Sequence, residues 1–170
     1  YHLAIYISGQ KAKKIYADVE QISKKIKCDK NARVLMNFDN GAKGQLWTNI
    51  LAKGGVYGLR IRVYGSKGSL EWVQNDPNYL KFNPSKGAAI LKERDFYFSK
   101  FSKKFSRIKY GHPEGYLDAF ANIYKEFADF LNNKSKKKFF FPNEDEGLET
   151  AKFINACKIS SNKKKWVEVK

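Results

Sequence analysis

The most concentrated chemistry in this sequence lies in Gly111-His112-Pro113-Glu114-Gly115-Tyr116. A neutral histidine ring here could donate or accept a hydrogen bond to a ligand. Gly111 and Gly115 carry no side chain, so a ligand could approach the backbone closely. The spacing places His112 at the cap of a following helix, where the positive end of the dipole disfavours imidazolium and favours a neutral ring. A surface loop whose histidine only caps the helix fits the same residues, and the segment alone leaves both open.

Other chemistry is sparse. Two histidines and two cysteines, none spaced as a pair, give no metal site. No Gly-x-Gly-x-x-Gly follows a strand and there is no Walker loop, so no phosphate cradle is expected. Gly65-Ser66-Lys67-Gly68 has the outline of an RNA-clamping GxxG loop, but between two strands it reads as a hairpin turn. Asn133-Lys134-Ser135 matches a glycosylation sequon, a chance match in a cytosolic protein. Cys28 and Cys157 lie far apart, which fits a reduced, cytoplasmic setting.

The elements that must position these residues fall into two blocks. Residues 12–94 alternate apolar and polar with turn punctuation, predicting strands at 14–19, 32–38, 43–51, 57–64, 69–73, 79–82 and 88–93. Asp39-Asn40-Gly41 is the first hairpin turn, since Asn-Gly accepts positive φ. Residues 96–109 mix aromatic and basic side chains without a clear period and read as a loop. A helix is predicted from Pro113 to Leu131, with Tyr116, Phe120, Ile123, Phe127 and Phe130 on one buried stripe. Asn143 with Glu146 forms a capping box opening a second helix to about Ile159. Trp166 to Val169 closes the chain as a strand. The class is α+β: one large, mainly antiparallel open sheet with helices on one face, forming a single domain over residues 1–170. Tyr1 to Gly9 reads as the last turns of a helix stopped by Gly9. With no Met at the start, residues are expected before Tyr1.

Helices can cover only one sheet face. The other would carry Trp47 and Tyr64 among Gln45, Asn49, Arg60 and Arg62. A solvated face is usually cleanly polar, so this mixture reads as a subunit interface in preference to scattered surface aromatics.

The formal net charge of +16 invites a nucleic-acid reading, with Lys and interleaved Phe96, Tyr97, Phe98, Phe101 and Phe105 as the binding surface. The competing explanation is codon bias. Lys, Asn, Ile, Phe and Tyr, all with A/T-rich codons, make 76 of the 170 residues, and Lys outnumbers Arg 28 to 5. Nucleic-acid surfaces favour the Arg fork, so the basic runs at 100–109, 134–138 and 163–165 read as solvated loops and nucleic acid is not the expected partner. No stretch approaches the roughly 20 apolar residues of a membrane helix.

The segment HPEGYLDAFANIY (112–124) resembles a hallmark of the Gfo/Idh/MocA oxidoreductases, which include glucose–fructose oxidoreductase and inositol dehydrogenase. The stretches ARVLMNFDNGAKGQLW (32–47) and LRIRVYGSKGSLEW (59–72), the late helix over 143–162 and Lys165-Trp166-Val167 resemble the same family, in order, over essentially the whole chain. The resemblance implies the second domain of a two-domain enzyme, used for substrate binding and subunit packing. It implies an NAD- or NADP-binding Rossmann domain before Tyr1, and hydride transfer to or from a hydroxyl of a sugar or cyclitol. The family's catalytic Lys and His would both precede Tyr1, so no catalytic residue and no cofactor is expected in this chain, which alone should be inactive. His2 matches a position that often contacts substrate but is commonly Asp. His2, Asn49, His112 and Tyr116 are the expected substrate contacts. Trp47, Arg60, Arg62 and Tyr64 are the expected interface of a homo-dimer or tetramer. A scaffold member of the family without activity is the remaining alternative.

Overall fold

The computed structural model describes residues 1–21, 28–55, 58–94, 99–109, 111–132 and 140–170. In chain order the elements are α1 (His2–Ser8), β1 (Ala12–Glu20), β2 (Asn31–Phe38), β3 (Lys43–Asn49), β4 (Arg60–Gly65), β5 (Gly68–Val73), β6 (Tyr79–Pro84), β7 (Ile90–Glu93), α2 (Lys100–Phe105), α3 (Tyr116–Leu131), α4 (Glu144–Lys163) and β8 (Val167–Glu168). The strands pair antiparallel throughout, as the α+β reading requires. They form two four-stranded sheets, ordered β3-β2-β1-β8 and β4-β5-β6-β7, where the sequence suggested one continuous sheet. The division falls at the glycine-rich connection, where Gly54 takes φ +82°, and no ladder joins β3 to β4 among the described residues. Two compact units result: Tyr1–Gly54 with Pro142–Lys170, and Gly55–Phe141.

In the first unit, α4 packs on β1 and the sheet alternates around it. Ile15, Ala17, Val34 and Met36 point to the helix and are buried with Ala12, Phe153, Ala156 and Cys157. A bulge between Ala12 and Lys14 inserts one residue, which is why Ala12 and Ile15, three apart, are both inside. Burial in this apolar setting pushes the Cys157 thiol up to about 11. The ring of Tyr1 stacks on Phe153 with centroids 3.8 Å apart. The expected β2–β3 turn is present: Gly41 takes φ +87° and Asn40 Oδ1 accepts from the Ala42 amide at 3.0 Å. Gly9 ends α1 at φ +66°, also as expected. The α4 capping box closes in both directions at 3.0 Å between Asn143 and Glu146. The helix runs one turn beyond the expected Ile159, because Ser160 and Ser161 are held by β1. Ser160 Oγ accepts from the Ala17 amide (2.9 Å) and donates to the Lys165 carbonyl (2.7 Å); Ser161 Oγ accepts from the Val19 amide (2.9 Å).

In the second unit, Ile61 and Val63 lie on one face of β4, and Arg60, Arg62 and Tyr64 are exposed on the other, as the alternation predicts. The predicted start of this strand at Tyr57 lies outside the described residues. Two expectations fail in this unit. Part of the stretch read as a loop is helical: Ser99 Oγ accepts from the Ser102 amide at 3.1 Å, and Phe101 and Phe105, one turn apart, bring their rings to 5.2 Å. The stripe on α3 is not buried. Tyr116, Phe120, Ile123, Phe127 and Phe130 are all exposed, and the buried side chain is Glu126. Two stripe residues, Phe127 and Phe130, each meet the ring of Phe141 edge-on at 5.8 Å, and hydrogen bonds hold the flank of the helix. Asn122 Nδ2 donates to the Phe105 carbonyl at 2.6 Å, and Glu126 accepts from the Phe140 amide (2.9 Å) and from Lys104.

Candidate functional site

The head of α3 carries two of the four expected substrate contacts. His112 is not the helix cap. The helix begins at Tyr116, with Gly115 as N-cap, and Pro113 stands outside it. The shift has a clear cause. Asp118, in the first turn, accepts from the Gly115 amide at 3.0 Å, filling the reciprocal half of a cap. Glu114 meanwhile turns away from the helix: its carboxylate takes the Arg107 and Ile108 amides and the Arg94 guanidinium. His112 therefore sits in a turn of its own, where its amide donates to the Lys109 carbonyl at 3.3 Å after Gly111 at φ +88°. Its ring is exposed, and Tyr116, four residues on, is 65% exposed with its ring 4.9 Å from that of Phe120. Both side chains thus stand open to a ligand on one short segment.

His2 and Asn49 belong to the first unit. His2 opens α1; its Nε2 atom is buried without a hydrogen bond among the described residues, and Glu146 Oε1 lies 3.9 Å from it. Asn49 ends β3 and spends its side-chain oxygen on the Leu51 amide at 2.7 Å. Within each unit, no hydrogen bond or ion pair joins His2 to Asn49 or His112 to Tyr116 among the described residues.

The expected interface residues are similarly divided. Trp47 is exposed on the first sheet, its indole donating to Asn31 Oδ1 at 2.9 Å. Arg60, Arg62 and Tyr64 are exposed on the second, and Glu71 lies 3.4 Å from Arg60 Nε and 3.2 Å from Arg62 Nε. That carboxylate raises the pKa of the Arg62 guanidinium. Of the aromatic residues of the nucleic-acid reading, Phe101 is exposed; it and Phe105 meet Phe140 at 4.9 and 5.6 Å, and Lys104 pairs with Glu126. Phe96, Tyr97 and Phe98 lie outside the described residues, as do the sequon at 133–135 and the basic run at 134–138. No group of three metal-ligating side chains, and no helix long and apolar enough to cross a membrane, occurs among the described residues.

Residues 3–169 match the model of the oxidoreductase family's C-terminal alpha/beta domain, GFO_IDH_MocA_C. The chain belongs to the Gfo/Idh/MocA oxidoreductases. Within that family it is 31% identical, over its whole length, to 46% of an uncharacterised oxidoreductase of Bacillus subtilis, YfiI. An oxidoreductase from Sinorhizobium meliloti has 40% identity and a TM-score of 0.93, over 98% of this chain and 49% of that one. An inositol dehydrogenase homologue from Azotobacter vinelandii, solved with NADH and myo-inositol, has 27% identity and a TM-score of 0.87, over 98% of this chain and 48% of that one. The chain thus spans about half the length of these Gfo/Idh/MocA relatives.

Sequence reasoning missed Arg94, Glu114 and Asn78, which shape the turn that carries His112. A signal existed: arginine is scarce beside lysine, 5 against 28, and only arginine presents a fork of directed donors. Four of the five are ion-paired: Arg33 to Asp18, Arg60 and Arg62 to Glu71, and Arg94 to Glu114.

Proposed function

We propose that this chain is the substrate-side and subunit-packing domain of an NAD- or NADP-dependent dehydrogenase, acting on a hydroxyl of a sugar or cyclitol. The observation that carries the reading is the family match over nearly the whole chain, together with a relative of the same fold that holds NADH and myo-inositol. His112 and Tyr116, with His2 and Asn49, supply hydrogen bonds to substrate hydroxyls; the catalytic groups and the nicotinamide site belong to a domain before Tyr1. The helix starts support that division. A dinucleotide's pyrophosphate favours an uncapped helix N-terminus. Here α4 opens with Glu144, Asp145 and Glu146, and the N-cap amide of α3 is taken by Asp118, so neither residue set fits the cofactor. The setting is cytoplasmic.

In the full-length protein, reduction of NAD or NADP by a polyol panel that includes myo-inositol should be measurable by nicotinamide absorbance, and the 1–170 chain alone should show none. His112→Ala should lower kcat/KM about tenfold, mainly through KM, since one lost hydrogen bond to substrate is worth roughly 1–1.5 kcal/mol. Turnover by the isolated chain would overturn the division of labour, and an unchanged KM would remove His112 from the site.

The exposed Trp47, Arg60, Arg62 and Tyr64 serve packing against a second copy, forming a homo-dimer or tetramer. The full-length protein should sediment as an oligomer that Trp47→Asp weakens; a monomer that persists at high concentration would refute this.

A further inference from the structure

We infer that Arg94 is the positioning residue for His112: one guanidinium holds the shape of the turn that presents the imidazole. The inference rests on the proposed role of His112 and adds the group that sets it.

Arg94 follows β7 directly, and its side chain is 9% exposed. Its Nη1 donates to Ser106 Oγ (2.6 Å), the Ile108 carbonyl (3.0 Å) and Glu114 Oε2 (3.0 Å). Its Nη2 donates to the Lys109 carbonyl (3.4 Å) and the His112 carbonyl (2.5 Å). The carbonyls of Ile108, Lys109 and His112 thus converge on one planar cation. The far side of the turn is fixed by Glu114, whose side chain is 11% exposed and accepts the Arg107 and Ile108 amides.

Asn78 joins both partners to the sheet. Its carbonyl accepts from the Arg94 amide (2.8 Å), its Oδ1 from the Glu114 amide (3.0 Å), and its Nδ2 donates to the Glu114 carbonyl (3.1 Å). Backbone carbonyls gathered this closely repel one another unless a cation with several directed donors sits among them. A guanidinium presents a fork of N–H groups; a lysine ammonium presents one point and cannot span the same set. Among the described residues, the turn's own backbone contributes the bond from the His112 amide to the Lys109 carbonyl at 3.3 Å. Gly111 adopts positive φ and the His112 ring is exposed, so the direction of the imidazole depends on the carbonyl anchors.

The test uses the full-length protein with Arg94→Lys, Glu114→Gln, His112→Ala and the double variant Arg94→Lys/His112→Ala. Two readouts apply. Tryptic cleavage of the native protein after Arg107, which needs no substrate, should accelerate about tenfold in Arg94→Lys and less in Glu114→Gln. With myo-inositol as the probe, Arg94→Lys should raise KM about as much as His112→Ala while kcat changes less than twofold. The double variant should be no worse than the single ones, because both act through one imidazole. An unchanged cleavage rate in both Arg94→Lys and Glu114→Gln, or independent additive losses in the double variant, overturns the positioning role. If His112→Ala leaves KM untouched while cleavage accelerates, the proposed substrate contact fails although Arg94 does shape the turn. Should Arg94→Lys not fold, Glu114→Gln carries the same comparison.

Discussion

Replacing Ser160 with alanine should lower the stability of the protein by roughly 2–3 kcal/mol, a drop of about 5–10 °C in its thermal midpoint. The side chain is fully buried, and its hydroxyl is the partner of the Ala17 amide and the Lys165 carbonyl. The reason for so large an effect lies in the topology. β1 is flanked by β2 along its whole length, but β8 reaches only Lys14 and Ile15. Beyond Ile15 no strand among the described residues pairs with the outer edge of β1, and α4 packs on that strand. Ser160 and Ser161 take the place of the missing strand, accepting from alternate amides at Ala17 and Val19. Alanine at 160 leaves the Ala17 amide buried without an acceptor, which costs more than the hydrogen bond itself contributed. Ser161→Ala should cost less, about 1 kcal/mol, because its bonds to Val19 are only partly buried. Urea titrations of the two variants give the ranking; equal midpoints would show that water replaces the serine at the strand edge.

How much of this was legible follows from where the governing interaction lies along the chain. The β2–β3 hairpin, the Gly9 stop and the Asn143–Glu146 box are decided within four residues, and the structure has each where the residues place it. The alternation that puts Ile15, Ala17 and Val34 inside is equally local. The serine pair was not legible: two serines near a helix end read as a fraying terminus, and only the neighbouring strand 142 residues away gives them a role. The division into two sheets was hidden for a related reason. Alternation tells which way a side chain points but not which strand lies beside it, so Trp47 and Tyr64, both exposed, read as one sheet and lie on separate ladders among the described residues.

The site shows the same limit. The GHPEGY segment stands out by composition, and His112 and Tyr116 are indeed displayed on it. The cap was misplaced because Pro113 and Glu114 are residues that favour a first helical turn. Local preference lost to Arg94 and Asn78, which draw Glu114 out of the helix through contacts 20 and 36 residues away in sequence. The α3 stripe likewise fits a buried face by period, yet Glu126, off the stripe, is the side chain that is enclosed. A periodic pattern identifies an apolar face without naming what covers it.

Gly68→Ala should be among the most damaging single substitutions in the second unit, whereas Gly65→Ala, three residues earlier in the same hairpin, should be nearly silent. Both glycines close the β4–β5 ladder as partners of each other. Their surroundings differ. A methyl group on Gly65 would meet nothing nearer than the Gly68 carbonyl oxygen at 3.7 Å, an ordinary contact. On Gly68 it would lie 2.4 Å from the Asn83 carbonyl oxygen and 3.0 Å from Pro84 Cα, both backbone atoms of β6 that no side-chain rotation can clear. Gly68 also takes φ +146°, whereas Ser66 and Lys67 keep negative φ, so the hairpin concentrates its conformational demand on this one residue. Strain of this kind costs about 1–3 kcal/mol, and separating β5 from β6 to relieve the overlap forfeits ladder bonds as well, for a total of at least about 3 kcal/mol. Faster amide exchange in β6 and a lowered unfolding midpoint should appear in Gly68→Ala and not in Gly65→Ala. Equal stability of the two variants would mean that β6 does not approach the hairpin as closely as the ladder between Gly68 and Pro84 requires.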